Sequence, residues 1–342
     1  EQLRAELARE AADPLWSKIV ELAADLILLE PEPAEQLRLS TTLVSLIGQW
    51  LEQGRLDELV HAFGHLCSLA DVSLRESPQI AEVRQAAQAL LSTPQQIASF
   101  MEILDEDRSL EPAALATYLG RLGEDVLPTL VTWLGRLSTP AYRGALADTL
   151  VAHQDKSLPL IARRLPPSRP QVDLAFVNEA LAVLGMCGAE SVQPILAALL
   201  DATDKRVRLE AARAISRFRD ERMDGLCLQL LADQSEEVRT VALDTLVRLQ
   251  RKRLSPKIFE VTASPGFVDR SLQEKRRFFV AVAKLAGKRS LDWFLDVIQK
   301  QEGQWFGSAK GRDLIEAAVF GIRAVGTPHS DKLLRQMADG GG

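Results

Sequence analysis

The chain has 342 residues and a formal net charge of −6, with 46% hydrophobic and only 5% aromatic residues. That much apolar material excludes a disordered chain, and the length suits two or three globular domains or one extended repeat array. The apolar set is mostly Leu, Ala and Val, which favours helices and argues against a sheet-rich fold.

The three cysteines, Cys67, Cys187 and Cys227, are odd in number and form no CxxC pair. They read as buried apolar side chains in a reducing compartment, so the expected location is cytoplasmic. No signal peptide is visible, and no apolar run approaches the roughly 20 residues that span a bilayer. A start at Glu1 and the closing Gly340, Gly341 and Gly342 suggest a fragment excised from a longer protein.

Along the chain, helix starts are marked by a capping residue followed by proline. The pairs are Asp13-Pro14, Ser77-Pro78, Thr93-Pro94, Thr139-Pro140 and Thr327-Pro328. Before about 110 the chain is helical without a clear motif, with Glu35 to Gly54 and Leu56 to Leu69 forming a divergent hairpin. No segment alternates with period two, so no strand is predicted.

Beyond 139 the sequence repeats. Asp204 to Ile215 aligns without gaps to Ser235 to Leu246 at an offset of 31 residues. Val207 matches Val238, Arg208 matches Arg239, Ala211 matches Ala242 and Ile215 matches Leu246. The preceding segments, Val192 to Leu200 and Leu226 to Leu231, also correspond. Weaker copies lie at Thr139 to Leu150, Val177 to Gly185 and Glu316 to Gly326, with Ser330 to Leu334 opening another hairpin. The pattern of a helix ending in Leu-Leu, a turn with Asp, then Val-Arg and spaced alanines resembles the HEAT repeat. It is most similar to the short bacterial form of phycobilin-lyase-type proteins.

The resemblance implies an all-α, right-handed α-solenoid of stacked antiparallel helical hairpins, a HEAT-like or ARM-type superhelix. Residues 1–110 are then a divergent N-terminal region continuous with the solenoid, 111–338 the HEAT-like repeats and 339–342 a Gly-rich tail. It also implies that Asp204, Arg208 and Arg239 form a structural ladder between repeats, with Ser235 interrupting the acidic side.

Charge is unevenly placed. Residues 1–200 carry 15 basic and 27 acidic side chains, whereas 201–300 carry 21 and 15. Within 248–289 there are 12 basic and three acidic residues. Such density attracts anionic partners, although cations at a helix C-terminus also serve the helix dipole. The binding candidates are Arg251, Lys252, Arg253, Lys257, Arg276 and Arg277, with Trp305 and Phe306 in a Gly-flanked loop beside them. The other aromatics of this stretch, Phe278, Phe279, Trp293 and Phe294, are expected to be core. The acidic and basic parts also permit head-to-tail self-association.

Catalytic signatures are missing. There is no Gly-x-Ser-x-Gly, and the glycines at 303, 307 and 311 lack Walker spacing. His61 and His65 share a helix face at i, i+4, but Ala62 stands where zincins place Glu, so no metal is assigned. No cofactor is expected. The sequence therefore points to a non-enzymatic scaffold or adaptor that binds an acidic or extended protein segment. A nucleic-acid or phosphate-ligand binder is the alternative, and a lyase-type HEAT enzyme is a third reading that rests on repeat resemblance alone.

Overall fold

A computed structural model describes residues 15–73, 78–165, 172–304 and 309–339. Among them there is no strand, and no helix is long and apolar enough to cross a membrane. The chain is an all-α solenoid of antiparallel helical hairpins, divided into two compact units.

Unit 1 holds the described residues up to Leu165 together with Asp173–Cys187. Its helices are α1 (Leu15–Leu29), α2 (Pro33–Glu52), α3 (Leu56–Ser73), α4 (Pro78–Leu91), α5 (Pro94–Asp107), α6 (Pro112–Arg121), α7 (Leu127–Trp133), α8 (Pro140–Ala152), α9 (Gln154–Arg164) and α10 (Leu174–Met186). The divergent hairpin is α2 with α3, and residue 110 falls inside this unit. From α5 onward two layers form: α5, α7 and α9 pack in sequence on one side, and α6, α8 and α10 on the other.

Unit 2 holds the described residues from Gly188 onward, together with Val172. It contains α11 (Ala189–Leu199), α12 (Lys205–Arg217), α13 (Asp224–Leu230), α14 (Glu236–Arg248), α15 (Ser255–Thr262), α16 (Leu272–Ala286), α17 (Leu291–Gln304), α18 (Ala309–Val325) and α19 (Pro328–Asp339). Helices α12, α14, α16 and α18 lie side by side as the second helices of successive hairpins. Helices α11, α13, α15 and α17 each pack against the second helix of their own hairpin.

Local chemistry sets the helix starts. Pro94 and Pro140 open α5 and α8, because a first-turn residue needs no N–H. Thr93 caps α5 by accepting from Gln96 N at 3.3 Å, and Thr327 Oγ1 accepts from Ser330 N at 3.2 Å before α19. Asp13-Pro14 and Ser77 lie outside the described residues.

The repeat positions read from sequence are core positions. Val207, Ala211 and Ile215 are buried in α12, and Val238, Ala242 and Leu246 occupy the same places in α14. Each hairpin has an apolar face towards both neighbours, so stacking is what removes it from water. Two glycines allow close approach. Gly135 has φ +82°, and a Cβ there would lie 2.5 Å from the backbone of Ala175 and Phe176. Gly321 in α18 lies under the buried Phe294 ring, 2.6 Å from where its Cβ would stand.

Candidate interaction surface

The turn between the two helices of a hairpin leaves carbonyls without helical partners. In this chain the fourth residue of the second helix answers that need. Arg143 in α8 donates through Nη1 to the carbonyls of Leu137 and Ser138, both at 3.0 Å. Arg208 in α12 donates to Ala202 at 2.8 Å and Thr203 at 3.2 Å. Arg239 in α14 donates to Asp233 at 2.6 Å and Gln234 at 2.9 Å.

The remainder of each guanidinium reaches the next repeat. Arg143 Nε lies 2.9 Å from Glu179. Arg208 grips Asp233 at 2.7 and 3.1 Å, and Arg239 grips Glu274 at 2.5 and 2.6 Å. Lys275 takes the same place in α16 and donates to Asp313 at 3.1 Å. In α10 the position is Val177, so that helix contributes no basic rung.

Two-pronged arginine–carboxylate contacts fix orientation as well as distance. Glu274 is 1% exposed and also receives Arg270 at 3.0 Å, so its charge is fully enclosed by guanidinium groups. Burial alone would raise the Asp233 carboxyl, but the Arg208 fork and the Ser235 N–H outweigh it and hold it below its ordinary 3.8. The carboxylates in turn hold Arg208 and Arg239 above the ordinary arginine value. Burial pushes Arg270 the other way.

Asp204 is not a rung. It caps α12, accepting from Arg206 N at 2.8 Å, and its two oxygens take the Arg206 side chain. The acidic rung comes instead from Asp233, two residues before Ser235, which is why a serine at 235 does not break the series.

The basic segment is largely occupied with local partners. Arg251 lies 2.8 Å from Asp224 and donates to the Arg219 carbonyl at 2.5 Å. Arg253 shares the same Asp224 at 2.7 Å and reaches Glu221 at 2.9 Å. Lys257 pairs with Glu260 one turn on. Arg276 bonds Glu316 in α18 and sits over the Phe320 ring at 4.4 Å, while Arg277 faces Asp244 in α14 at 4.0 Å. Arg251 and Arg253 are thus brought together around Asp224, whereas Arg276 and Arg277 lie along α16 and look to opposite neighbours. Lys252 is exposed with no ion pair among the described residues. Trp305 and Phe306 lie outside the described residues.

A different set of cations is exposed in register. The last turns of α12, α14, α16 and α18 carry Arg217, Arg248, Lys284 and Arg323. All four are exposed, and none has a carboxylate partner among the described residues. Two of them, Arg217 and Arg323, lie outside 248–289. The signal for the first was in the repeat itself, because Arg217 and Arg248 are separated by the same 31-residue offset as Arg208 and Arg239.

Comparison with protein families matches residues 170–247 to HEAT repeats. The chain carries HEAT repeats. The matched stretch contains both copies with the 31-residue offset and the Arg208 and Arg239 rungs. The match is to HEAT repeats in general and does not single out the phycobilin-lyase type. A search of curated proteins found no match.

Within this HEAT-repeat protein the other sequence candidates take structural places. Phe278, Phe279 and Phe294 are buried and ring-packed, with Phe279 centred 5.7 Å from Phe294 and 5.0 Å from Trp293. Cys67, Cys187 and Cys227 are buried free thiols, and burial pushes Cys227 up to about 12. His61 lies 3.1 Å from Asp57 and His65 3.1 Å from Glu21, beside an open groove of about 460 Å³ between α3 and α6. Glu58, one turn before His61, accepts from Arg55 at 2.7 Å. Among the described residues no three potential ligands gather as a metal site.

Proposed function

We propose that the chain is a non-enzymatic interaction scaffold that binds a partner protein along the second helices of unit 2. HEAT repeats are commonly protein-interaction scaffolds, and one observation carries the reading further here. The arginine rungs tie α12, α14 and α16 to one another near their N-terminal ends, so their outward faces form a repeated surface held in fixed register. A preorganised surface loses little freedom on binding. The buried thiols fit a reducing, cytoplasmic setting.

The nucleic-acid reading draws less support than the basic count in 248–289 suggests. Arg251, Arg253, Lys257, Arg270, Lys275, Arg276 and Arg277 all face carboxylates, which cancels much of the local field.

The test is site-specific photo-crosslinking in native lysate. A photoreactive residue at Asp244, exposed on α14, should give a discrete protein adduct that unlabelled chain competes away. The same residue at Glu260, exposed on α15, should not. Equal labelling at both sites, or no adduct at Asp244, removes the reading.

A further inference from the structure

We infer that Arg217, Arg248, Lys284 and Arg323 form a docking row for an extended acidic segment of a partner protein, one carboxylate per repeat. The inference rests on the scaffold reading and names the chemistry of its partner.

The row is spatial as well as sequential. Helices α12, α14, α16 and α18 pack in that order, and every cross-helix contact gives the same direction. Between α12 and α14, Lys205 faces Glu237 near the starts, and Arg248 donates to the Ser216 carbonyl at the ends. Between α14 and α16, Glu236 meets Ser271, Arg239 meets Glu274 and Asp244 meets Arg277, in rising order along both helices. Between α16 and α18, Lys275 meets Asp313 and Arg276 meets Glu316. The four helices are therefore parallel, and their last turns form one edge of unit 2.

At that edge the charges are available. Arg217, Lys284 and Arg323 are exposed and make no side-chain hydrogen bond or ion pair among the described residues. Arg248 spends one amino group on a carbonyl, not on a carboxylate, so its charge is uncompensated. The Arg277 and Arg276 pairs lie one or more turns back along α16.

The spacing selects the ligand. Packed helices stand about 8–10 Å apart. A polyproline II chain rises about 3.1 Å per residue with three residues per turn, so every third side chain returns to the same face after about 9 Å. An acidic segment in that conformation, with a carboxylate at every third position, meets one cation per helix. A segment with adjacent carboxylates offers the same charge without the register. Duplex DNA places a phosphate charge every 1.7 Å or so of axis and has no reason to prefer this row over other cations.

The test uses the full chain and a fluorescein-labelled peptide of four Glu-Pro-Pro triplets, read by fluorescence anisotropy. A peptide of identical composition with its four glutamates contiguous is the comparison. The triplet peptide should bind at least about threefold more tightly. The double variant Lys284→Gln with Arg323→Gln should weaken it by about fivefold to tenfold, since two exposed ion pairs are lost together. Lys205→Gln with Lys310→Gln removes equal charge near the N-terminal ends of α12 and α18 and should change affinity by less than about twofold. Circular dichroism confirms that both variants fold. Equal binding of the two peptides, equal loss from the two double variants, or tighter row-dependent binding of a DNA duplex overturns the inference. The scaffold reading is decided separately by the Asp244 adduct, which requires no designed peptide.

Discussion

Units 1 and 2 are built from the same kind of hairpin but differ in how regularly a charged rung joins one repeat to the next. In unit 2 the ties run from one charged side chain to another: Arg208 to Asp233, Arg239 to Glu274 and Lys275 to Asp313. In unit 1 the long-range ties are mixed, and several run from a side chain to a backbone carbonyl. Tyr142 donates to Leu110 at 2.8 Å, Arg164 to Val131 at 3.0 Å and Gln88 to Leu122 at 3.0 Å. Among the described residues of unit 1, Arg143 with Glu179 is the one pair that repeats the fourth-position rung of unit 2. A carbonyl is present at every residue, so it constrains the sequence of one partner. A carboxylate rung constrains both, and that is why the strict repeat is legible in unit 2 and faint in unit 1.

Breaking the enclosed rung should have the largest effect. Arg239→Ala leaves Glu274 buried without its main partner, and removal of one member of a buried pair costs about 3–5 kcal/mol. Denaturant unfolding should report that loss, and amide exchange should place it in α14 and α16. Gly135→Ala tests unit 1, where the backbone of α10 leaves no room for a methyl group. Positive φ and the clash together should cost about 2–4 kcal/mol, with faster exchange in α8 and α10. Arg143→Ala removes the lone charged rung of unit 1, which is half-buried, and should cost about 1–3 kcal/mol. A loss equal to that of Arg239→Ala would contradict the contrast between the units.

Acid should separate the units further. Asp233 has a folded carboxyl below its unfolded value, so the stability it contributes is present above about pH 4 and is lost as pH falls through the folded value. Asp233→Asn should flatten that acid limb in unit 2 while leaving exchange in α6 and α8 unchanged. The smallest effect belongs to Tyr142→Phe, which gives up one hydrogen bond to the Leu110 carbonyl and should cost about 1 kcal/mol.

Much of the fold could be read from spacing because the same residue recurs where the same contact recurs. Val207 with Val238 and Ala211 with Ala242 are examples, since a stacked core demands the same size at the same place. Arg208 and Arg239 were legible for that reason as well. Their acceptors were not, because Asp233 lies in a turn and Glu274 on a helix, and only the folded chain shows that both reach a fourth-position arginine. Counting charge along 248–289 had a related weakness. Sequence density treats Arg253 and Lys284 alike, but one faces Glu221 and Asp224 and the other faces water.

The arginines of the rungs also bear on which loops can change length. Each one holds two carbonyls of its own hairpin turn and a carboxylate of the next repeat at once. An insertion between α11 and α12, or between α13 and α14, would move the carbonyls away from an arginine that cannot follow without releasing its partner. At the opposite edge the connections through Glu221–Met223 and Lys252–Leu254 are also tied, because Arg251 holds the Arg219 carbonyl and Asp224 while Arg253 holds Glu221 and Asp224. Among the described residues the connection through Gly287–Ser290 shows only the local bond from Ser290 to the Gly287 carbonyl. Unit 2 is therefore fixed in length at the rung edge and at the two connections joined by Arg251 and Arg253, and the place where added residues can be absorbed is the connection after Lys284.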